Sequence, residues 1–140
     1  MEFQTIQPFL DYYSKVRKRT LRIIDYIPPE KIEWTYQEGK FTLGDLIRHL
    51  ACIERYMYSE NAQFKPSQYN GCGKDLAESY ENAVHFMNDR HQESLEIFSK
   101  LSPEDLQKET TSPAGTPITL WKWLRLLPEH EIHHRGQIYT

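Results

Sequence analysis

The sequence predicts an all-α protein, a four-helix bundle with long connecting loops, and two observations support this prediction. Apolar residues recur at steps of three and four along four segments of about 20 residues, which is the period of an amphipathic helix. The 140 residues are 39% hydrophobic and 13% aromatic, enough for one compact core but not for several domains. We therefore expect a single domain over residues 1–140, with helices packed on helices.

The first two helices have clear boundaries in the sequence. The first is predicted over residues 5–27, because two consecutive prolines at positions 28 and 29 stop it. The second opens with Thr42-Leu43-Gly44-Asp45, a capping-box pattern in which the Thr42 hydroxyl and the Asp45 carboxylate satisfy free amides. Its apolar stripe predicts an end near Asn61.

The last two helices are predicted over residues 75–101 and from Thr119 to the end of the chain. Pro128 falls inside the fourth helix, where it removes a hydrogen bond and should kink or locally widen the helix. The connections, residues 28–41, 62–74 and 102–118, show no convincing strand. Loops of this length often form lids or binding surfaces, and they leave the bundle topology open.

Composition excludes several functional classes. The net charge of -3 disfavours a general nucleic-acid binder, which would need many cations to neutralise phosphates. No apolar run approaches the roughly 18 residues of a membrane span, and the N-terminus lacks the apolar block of a signal peptide. Cys52 and Cys72 form neither a disulfide framework nor a metal knuckle. We expect a cytoplasmic protein that binds neither membrane nor nucleic acid.

Histidines distinguish this chain from a plain bundle. His130 and His134 are one helical turn apart within the inward stripe, so both can point at one ion. Two buried imidazoles need either a metal or hydrogen-bond partners, and both interpretations stay open. A third ligand should come from another helix, with His49 as the best candidate and His91 as its competitor. His85 and His133 are predicted at the surface.

Residues 130–134 also match the H-E-x-x-H pattern of zinc metalloproteases. The downstream ligand of the extended pattern is missing, because Gln137 and Thr140 stand where Gly and His would be needed. A protease is therefore disfavoured. Glu131 falls on the inward side of the helix, where its carboxylate could orient a ligand imidazole or act as a general base. The alternative is an ordinary helical glutamate.

Two stretches together, residues 42–50 (TLGDLIRHL) and 129–138 (EHEIHHRGQI), resemble the DinB superfamily, also called DinB/YfiT-like. The resemblance extends from the first helix through the fourth. It implies a four-helix bundle and a divalent metal held by His49, His130 and His134. It also implies a homodimer. Members of this family usually continue past the last ligand helix, so the resemblance raises the expectation that the chain is cut short at its C-terminus.

The resemblance points to a metal-dependent enzyme that transfers a low-molecular-weight thiol, such as bacillithiol or mycothiol, to an electrophilic small molecule. A hydrolase is the close alternative, and a bundle that holds a metal or ligand without turnover is the third. An all-histidine set suits zinc or nickel first, with iron or manganese as further candidates. A water-accessible fourth position beside a pocket would favour an enzyme. Four residues are unassigned candidates for a thiol pocket: Trp34, Tyr36, Arg48 and Arg135.

Overall fold

Four long helical segments form the bundle in this computed structural model, which describes residues 2–139 and the side chains of residues 2–138. The second segment is one continuous rod made of an α-helix, a π-helical turn over Glu54–Tyr58 and a final α-helical turn. The first segment is α1 (Ile6–Ile24), and the second begins with α2 (Leu43–Ile53) and ends with α3 (Ser59–Ala62). The third segment is α4 (Tyr80–Ser99), and the fourth is α6 (Leu120–Tyr139). Helix α1 packs mainly against α6, and α2 packs mainly against α4. The predicted fold class is confirmed.

The last connection contains structure that the sequence analysis missed. A short helix, α5 (Pro103–Gln107), leads into an antiparallel hairpin of β1 (Glu109–Thr111) and β2 (Pro117–Thr119). The expectation that no strand lies in this connection was therefore wrong. Each strand has only three residues, too few to show an alternating pattern. Gly115 closes the hairpin with a left-handed φ of 83°, a conformation that glycine adopts without strain.

Helix boundaries follow local capping chemistry. The predicted capping box is present: the Thr42 hydroxyl accepts a hydrogen bond from the Asp45 amide at 2.9 Å, and the Asp45 carboxylate accepts one from the Thr42 amide. Helix α4 begins at Tyr80 and not at 75, because the Ser79 hydroxyl caps it at Asn82. The segment Lys74–Leu76 instead forms a separate 3-10 turn, and a second such turn covers Pro29–Lys31.

Helix α6 stays α-helical through Pro128, which is buried. The local widening expected at Pro128 is therefore absent from α6, and the widened turn lies in the second segment at Glu54–Tyr58. A π-helical turn inserts one residue and so shifts the faces of the helix on its two sides.

The bundle interior is divided into two hydrophobic clusters. One contains Phe9, Tyr13, Phe98 and Leu124, and the other surrounds Ile47 and the end of α6. Between them along the helices lie four buried ionisable side chains, one from each long segment, which we call the charged layer: Arg17, Glu54, His91 and Glu131.

Within residues 2–139, no helix combines the length and the apolar character needed to cross a membrane.

Candidate metal centre

Three histidines from two helices meet near one end of the bundle. His49 lies on α2, two turns after the capping box, and His130 and His134 lie on successive turns of α6. All three are half-buried. Their ring centroids are separated by 4.5 to 5.0 Å, so each ring contacts both of the others. The sequence interpretation that chose His49 over His91 agrees with this placement.

The ring nitrogens converge closely enough to share an ion. One nitrogen from each ring lies within 4.8 Å of the other two, and Nε2 of His49 is 3.1 Å from Nε2 of His130. Two nitrogens on a tetrahedral zinc ion would be about 3.3 Å apart, given Zn–N bonds of roughly 2.0–2.1 Å. The spacing and the donor type therefore fit a divalent transition metal.

Neighbouring side chains orient two of the three rings. The Nδ1–H of His134 donates to the Gln137 amide oxygen at 2.6 Å, which leaves Nε2 as a lone-pair donor. His49 Nδ1 lies 2.9 Å from the Tyr69 hydroxyl, a contact that can hold its ring in the same tautomer. The third ring differs, because among the described side chains Nδ1 of His130 is buried without a hydrogen-bond partner.

Burial keeps the three imidazoles neutral, which is the form that binds metals. Burial, and secondarily the nearby His134, lowers the pKa of His49 to about 4. Burial and the two other rings lower the pKa of His130 to about 3. The pKa of His134 is lowered as well, mainly by burial, although its hydrogen bond to Gln137 opposes the shift. At neutral pH all three rings are therefore uncharged.

The other candidates from the sequence lie elsewhere. His91 Nδ1 is 2.6 Å from a carboxylate oxygen of Glu54, in the charged layer. The Glu131 carboxylate accepts hydrogen bonds from Arg17 at 2.8 Å and from Thr20 at 2.8 Å. Among the described residues it makes no hydrogen bond to a histidine of the cluster, so its geometry supports a role in the bundle interior. His85 and His133 are exposed, as predicted.

A cavity of about 530 Å³ opens beside the histidine cluster. Phe41 and Gln137 belong to both features: the Phe41 ring is 5.3 Å from that of His49 and 6.5 Å from that of His134. Trp34 and Tyr36, which the sequence analysis left unassigned, line the same cavity. None of the three histidines lines the cavity, so a small molecule seated there would reach the cluster through Phe41 and Gln137.

A buried arginine of α2 holds the loop that precedes this helix and carries Trp34. Arg48 is fully buried, and its guanidinium binds the Glu33 carboxylate and the Asp45 carboxylate, the latter at 3.0 Å. It also donates to the backbone carbonyls of Cys72 and Ala77, so it joins both loops that flank the site. Gly44 permits this approach, because a Cβ there would lie 2.6 Å from Glu33 Oε1 and 2.7 Å from Arg48 Nη2.

Sequence reasoning missed three contacts of the site: Phe41, Tyr69 and Gln137. Only Gln137 left a usable signal, since it follows His134 by three residues on one helix and therefore lies beside it. Phe41 and Tyr69 lie in connections, where no periodicity indicates which way a side chain faces. Arg135, a further unassigned candidate, donates to the carbonyl of Val16 and so joins α6 to α1.

Fold and site together define a class of protein: a four-helix bundle with a three-histidine cluster whose neighbours Phe41 and Gln137 line an open cavity. The sequence profile of the DinB superfamily matches residues 12–138, so the chain belongs to that superfamily. The family resemblance seen in the sequence is thereby confirmed.

Two solved structures share the fold. A DinB-like protein from Bacillus cereus superposes with a TM-score of 0.81 at 20% identity, covering 98% of this chain and 90% of that one. The four-helix bundle protein TT2238 superposes with a TM-score of 0.74 at 21% identity, covering 96% of this chain and 98% of that one. No functionally curated protein matches the chain significantly.

Proposed function

We propose that His49, His130 and His134 hold a divalent transition metal, zinc or nickel first, and that the chain is a metal-dependent enzyme acting on a small molecule. The reaction we propose is transfer of a low-molecular-weight thiol to an electrophile. One observation supports this proposal most: the three neutral imidazoles converge beside a cavity that shares Phe41 and Gln137 with them.

The donor set favours Lewis-acid chemistry. When bound, a divalent ion on three neutral ligands keeps its full positive charge and stabilises the deprotonated form of a thiol or of water. Zinc, nickel and iron accept imidazole readily, whereas magnesium and calcium prefer oxygen. Three protein ligands are also typical of catalytic zinc, which keeps one position for substrate.

The chain's own residues would orient the ligands and admit the substrate. Gln137 would hold the His134 ring, and Tyr69 the His49 ring, in the tautomer that offers Nε2. The cavity provides an approach for a small molecule, which favours an enzyme over a closed storage site. Glu131 is not given the role of general base in this proposal, because its carboxylate is bound to Arg17 and Thr20.

The test compares metal-stripped protein with protein reloaded with zinc or nickel. Each form is incubated with bacillithiol or a simpler thiol such as cysteine, and with monochlorobimane as a fluorogenic electrophile. We expect thiol transfer only in the reloaded form, loss of activity in His134→Ala, and retention in the exposed control His85→Ala. Hydrolysis of 4-nitrophenyl acetate by the same form, without thiol transfer, would replace the transferase by the hydrolase. Metal binding without either activity would leave a non-catalytic metal protein.

A further inference from the structure

Two cavities adjoin at this end of the bundle, and Trp34 and Leu43 line both of them. The first is the cavity of about 530 Å³ beside the histidines. The second, of about 450 Å³, lies against the end of α1 and Ile138 of α6. The side chains of Trp34 and Leu43 therefore lie between the two cavities. Trp34 is 48% exposed although it lies in a folded loop.

The charged side chains that line these cavities are all cationic. Lys40 is the charged residue of the first cavity, and Arg22 and Lys31 are those of the second. Within the described part of the chain, none of the three forms a salt bridge with a carboxylate. The chain as a whole carries a net charge of -3, whereas the charged residues that line these two cavities are all positive. Such cavities attract anions.

Three aromatic side chains also line the first cavity. Trp34, Tyr36 and Phe41 are 48%, 72% and 44% exposed, well above what large hydrophobic side chains show in a core. Exposed aromatic groups around a concave surface are typical of sites that bind a flat or apolar ligand body, with a few polar groups that set its orientation.

The loop that carries these rings is held in place before any ligand arrives. The amide of Leu43 donates to the carbonyl of Trp34 at 3.0 Å, and the amide of Lys40 donates to the carbonyl of Gln37 at 3.1 Å. Gly39 makes the turn with a left-handed φ of 84°, next to Lys40. Little ordering is therefore left to be done on binding, which favours a specific site.

We propose that the first cavity binds a small organic anion with an aromatic or otherwise apolar body, whose carboxylate pairs with Lys40 and whose body lies against Trp34 and Phe41. This proposal builds on the proposed function, since a ligand so placed would face the histidine cluster through Phe41 and Gln137. It names the class of substrate: an apolar carboxylate, in preference to a neutral or cationic molecule.

The experiment uses the whole chain, labelled with 15N, and follows amide and indole N–H signals by NMR. Three probes are titrated: 2-naphthoate, its neutral isostere 2-naphthamide, and acetate. We expect saturable binding of 2-naphthoate below about 5 mM, with shifts at the Trp34 indole N–H. We expect affinity for 2-naphthamide to be three- to tenfold weaker, as for a partly exposed ion pair, and no binding of acetate.

Variants test whether Lys40 pairs with the carboxylate of the ligand and whether Trp34 contacts its apolar body. Lys40→Met should reduce the affinity for 2-naphthoate to that for the amide, and Trp34→Ala should weaken both ligands. Lys18→Met, at an exposed lysine of α1 that lines neither cavity, should change neither. Equal binding of naphthoate and naphthamide, insensitivity to Lys40→Met, or no binding at all would overturn the proposal.

Two further experiments distinguish failure of the anion site from failure of the metalloenzyme proposal. The same titration on His49→Ala tests the cavity without the metal cluster. Retained naphthoate binding there, in a protein that binds no metal, would support the anion site even if the metalloenzyme proposal failed. Light scattering gives the oligomeric state. If Trp34→Ala converts a dimer to a monomer and the wild type binds no naphthoate, a second copy covers these rings and the anion site is refuted.

Discussion

The histidine cluster and the charged layer both take side chains from the second helical segment and from α6, yet they differ in the charges that meet in them. His130 belongs to the first region and its neighbour Glu131 to the second. In the charged layer, opposite charges meet inside the bundle. In the cluster, three imidazole nitrogens meet near an open cavity. Both regions contain buried atoms without a hydrogen-bond partner among the described side chains: Nδ1 of His130 in the cluster, and Nη1 of Arg17 and Oε1 of Glu54 in the charged layer.

Electrostatics show the same difference. Burial by itself would raise the pKa of Glu54, but Arg17 and the hydrogen bond from His91 outweigh it, so the pKa lies below its ordinary value. The carboxylate is thus stabilised by its neighbours. In the cluster, burial and neighbouring rings act in the same direction on His49 and His130, and both pKa values fall. Pairing of opposite charges indicates a structural role, and neutral nitrogens that converge without a counter-charge indicate a site for a ligand.

The largest expected effect comes from breaking the charged layer. Arg17→Met leaves two buried carboxylates without their shared cation, and breaking a buried pair in this way costs about 3–5 kcal/mol. We expect a loss of this size in the free energy of unfolding, measured by urea denaturation. The exposed control Arg19→Met should change it by less than about 0.5 kcal/mol. An Arg17→Met loss below about 1 kcal/mol would show that the layer contributes little to stability.

Added metal should stabilise the folded protein only by binding to the histidine cluster. A ligand at 100 times its dissociation constant stabilises the folded state by about 2.7 kcal/mol. We expect a gain near this value when zinc is added to metal-free wild type, and none in His130→Ala. In the absence of metal, His130→Ala should change stability by only about 1 kcal/mol, because it removes one hydrogen bond, to Nε2 of His49, together with a buried nitrogen that has no partner among the described side chains. Equal stabilisation of both proteins would place the ion elsewhere.

The loop beside the cluster gives a smaller effect. Gly44→Ala places a Cβ 3.0 Å from the Ile32 carbonyl and closer still to the Glu33–Arg48 pair. We expect a loss of about 1–2 kcal/mol by thermal or urea unfolding, since such crowding outweighs the better helix propensity of alanine. Gly136→Ala on α6, where nothing lies within 4 Å of the added Cβ, should instead stabilise by roughly 0.5–1 kcal/mol. Equal effects at the two positions would contradict the close approach at Gly44.

The smallest expected effect is a pH dependence of the metal-free protein. The folded-state pKa values of His49 and His130, about 4 and about 3, lie below the unfolded value of about 6.5. The unfolded chain therefore binds more protons as the pH falls from about 6.5 towards 4, and stability decreases in that window. Taken in full, each shift would lower stability by about 3 kcal/mol at pH 4. Solvent screens these half-buried rings, so we expect a total decrease of only about 1 kcal/mol. Double substitution of His49 and His130 by alanine should flatten the profile, and an unchanged slope would contradict the assignment.

Periodicity carried most of the prediction of the fold. The recurring apolar residues placed all four helical segments, and the i,i+4 spacing placed His130 and His134 on one face. The third ligand was harder to find, because a single histidine on a stripe has no spacing partner on its own helix. His49 was the best candidate from its position, and the family resemblance strengthened that choice. The predicted start of helix α4 was too early because Leu76 continued the apolar pattern of the helix. In the structure Leu76 lies in a separate 3-10 turn and is 42% exposed.

Partners across the bundle could not be predicted. The helical wheel placed Glu131 inward, and the structure shows that Arg17 forms ion pairs with both Glu54 and Glu131. A wheel shows one helix at a time, so it does not reveal that Arg17 serves both carboxylates or that Tyr69 reaches His49 from a loop. Such contacts depend on tertiary packing, which also decides that Glu131 faces Arg17 and Thr20.

The most direct test of the contrast between the two regions is metal stoichiometry by mass spectrometry on untagged protein. Wild type is compared with His49→Ala, His130→Ala and His134→Ala, and with His91→Ala as the matched control from the charged layer. We predict about one zinc or nickel ion per chain in wild type and in folded His91→Ala, and loss of the ion in each of the three cluster variants. A wild type that stays metal-free after incubation with zinc, nickel, iron and manganese would contradict the account. So would an ion retained in His130→Ala and lost in folded His91→Ala.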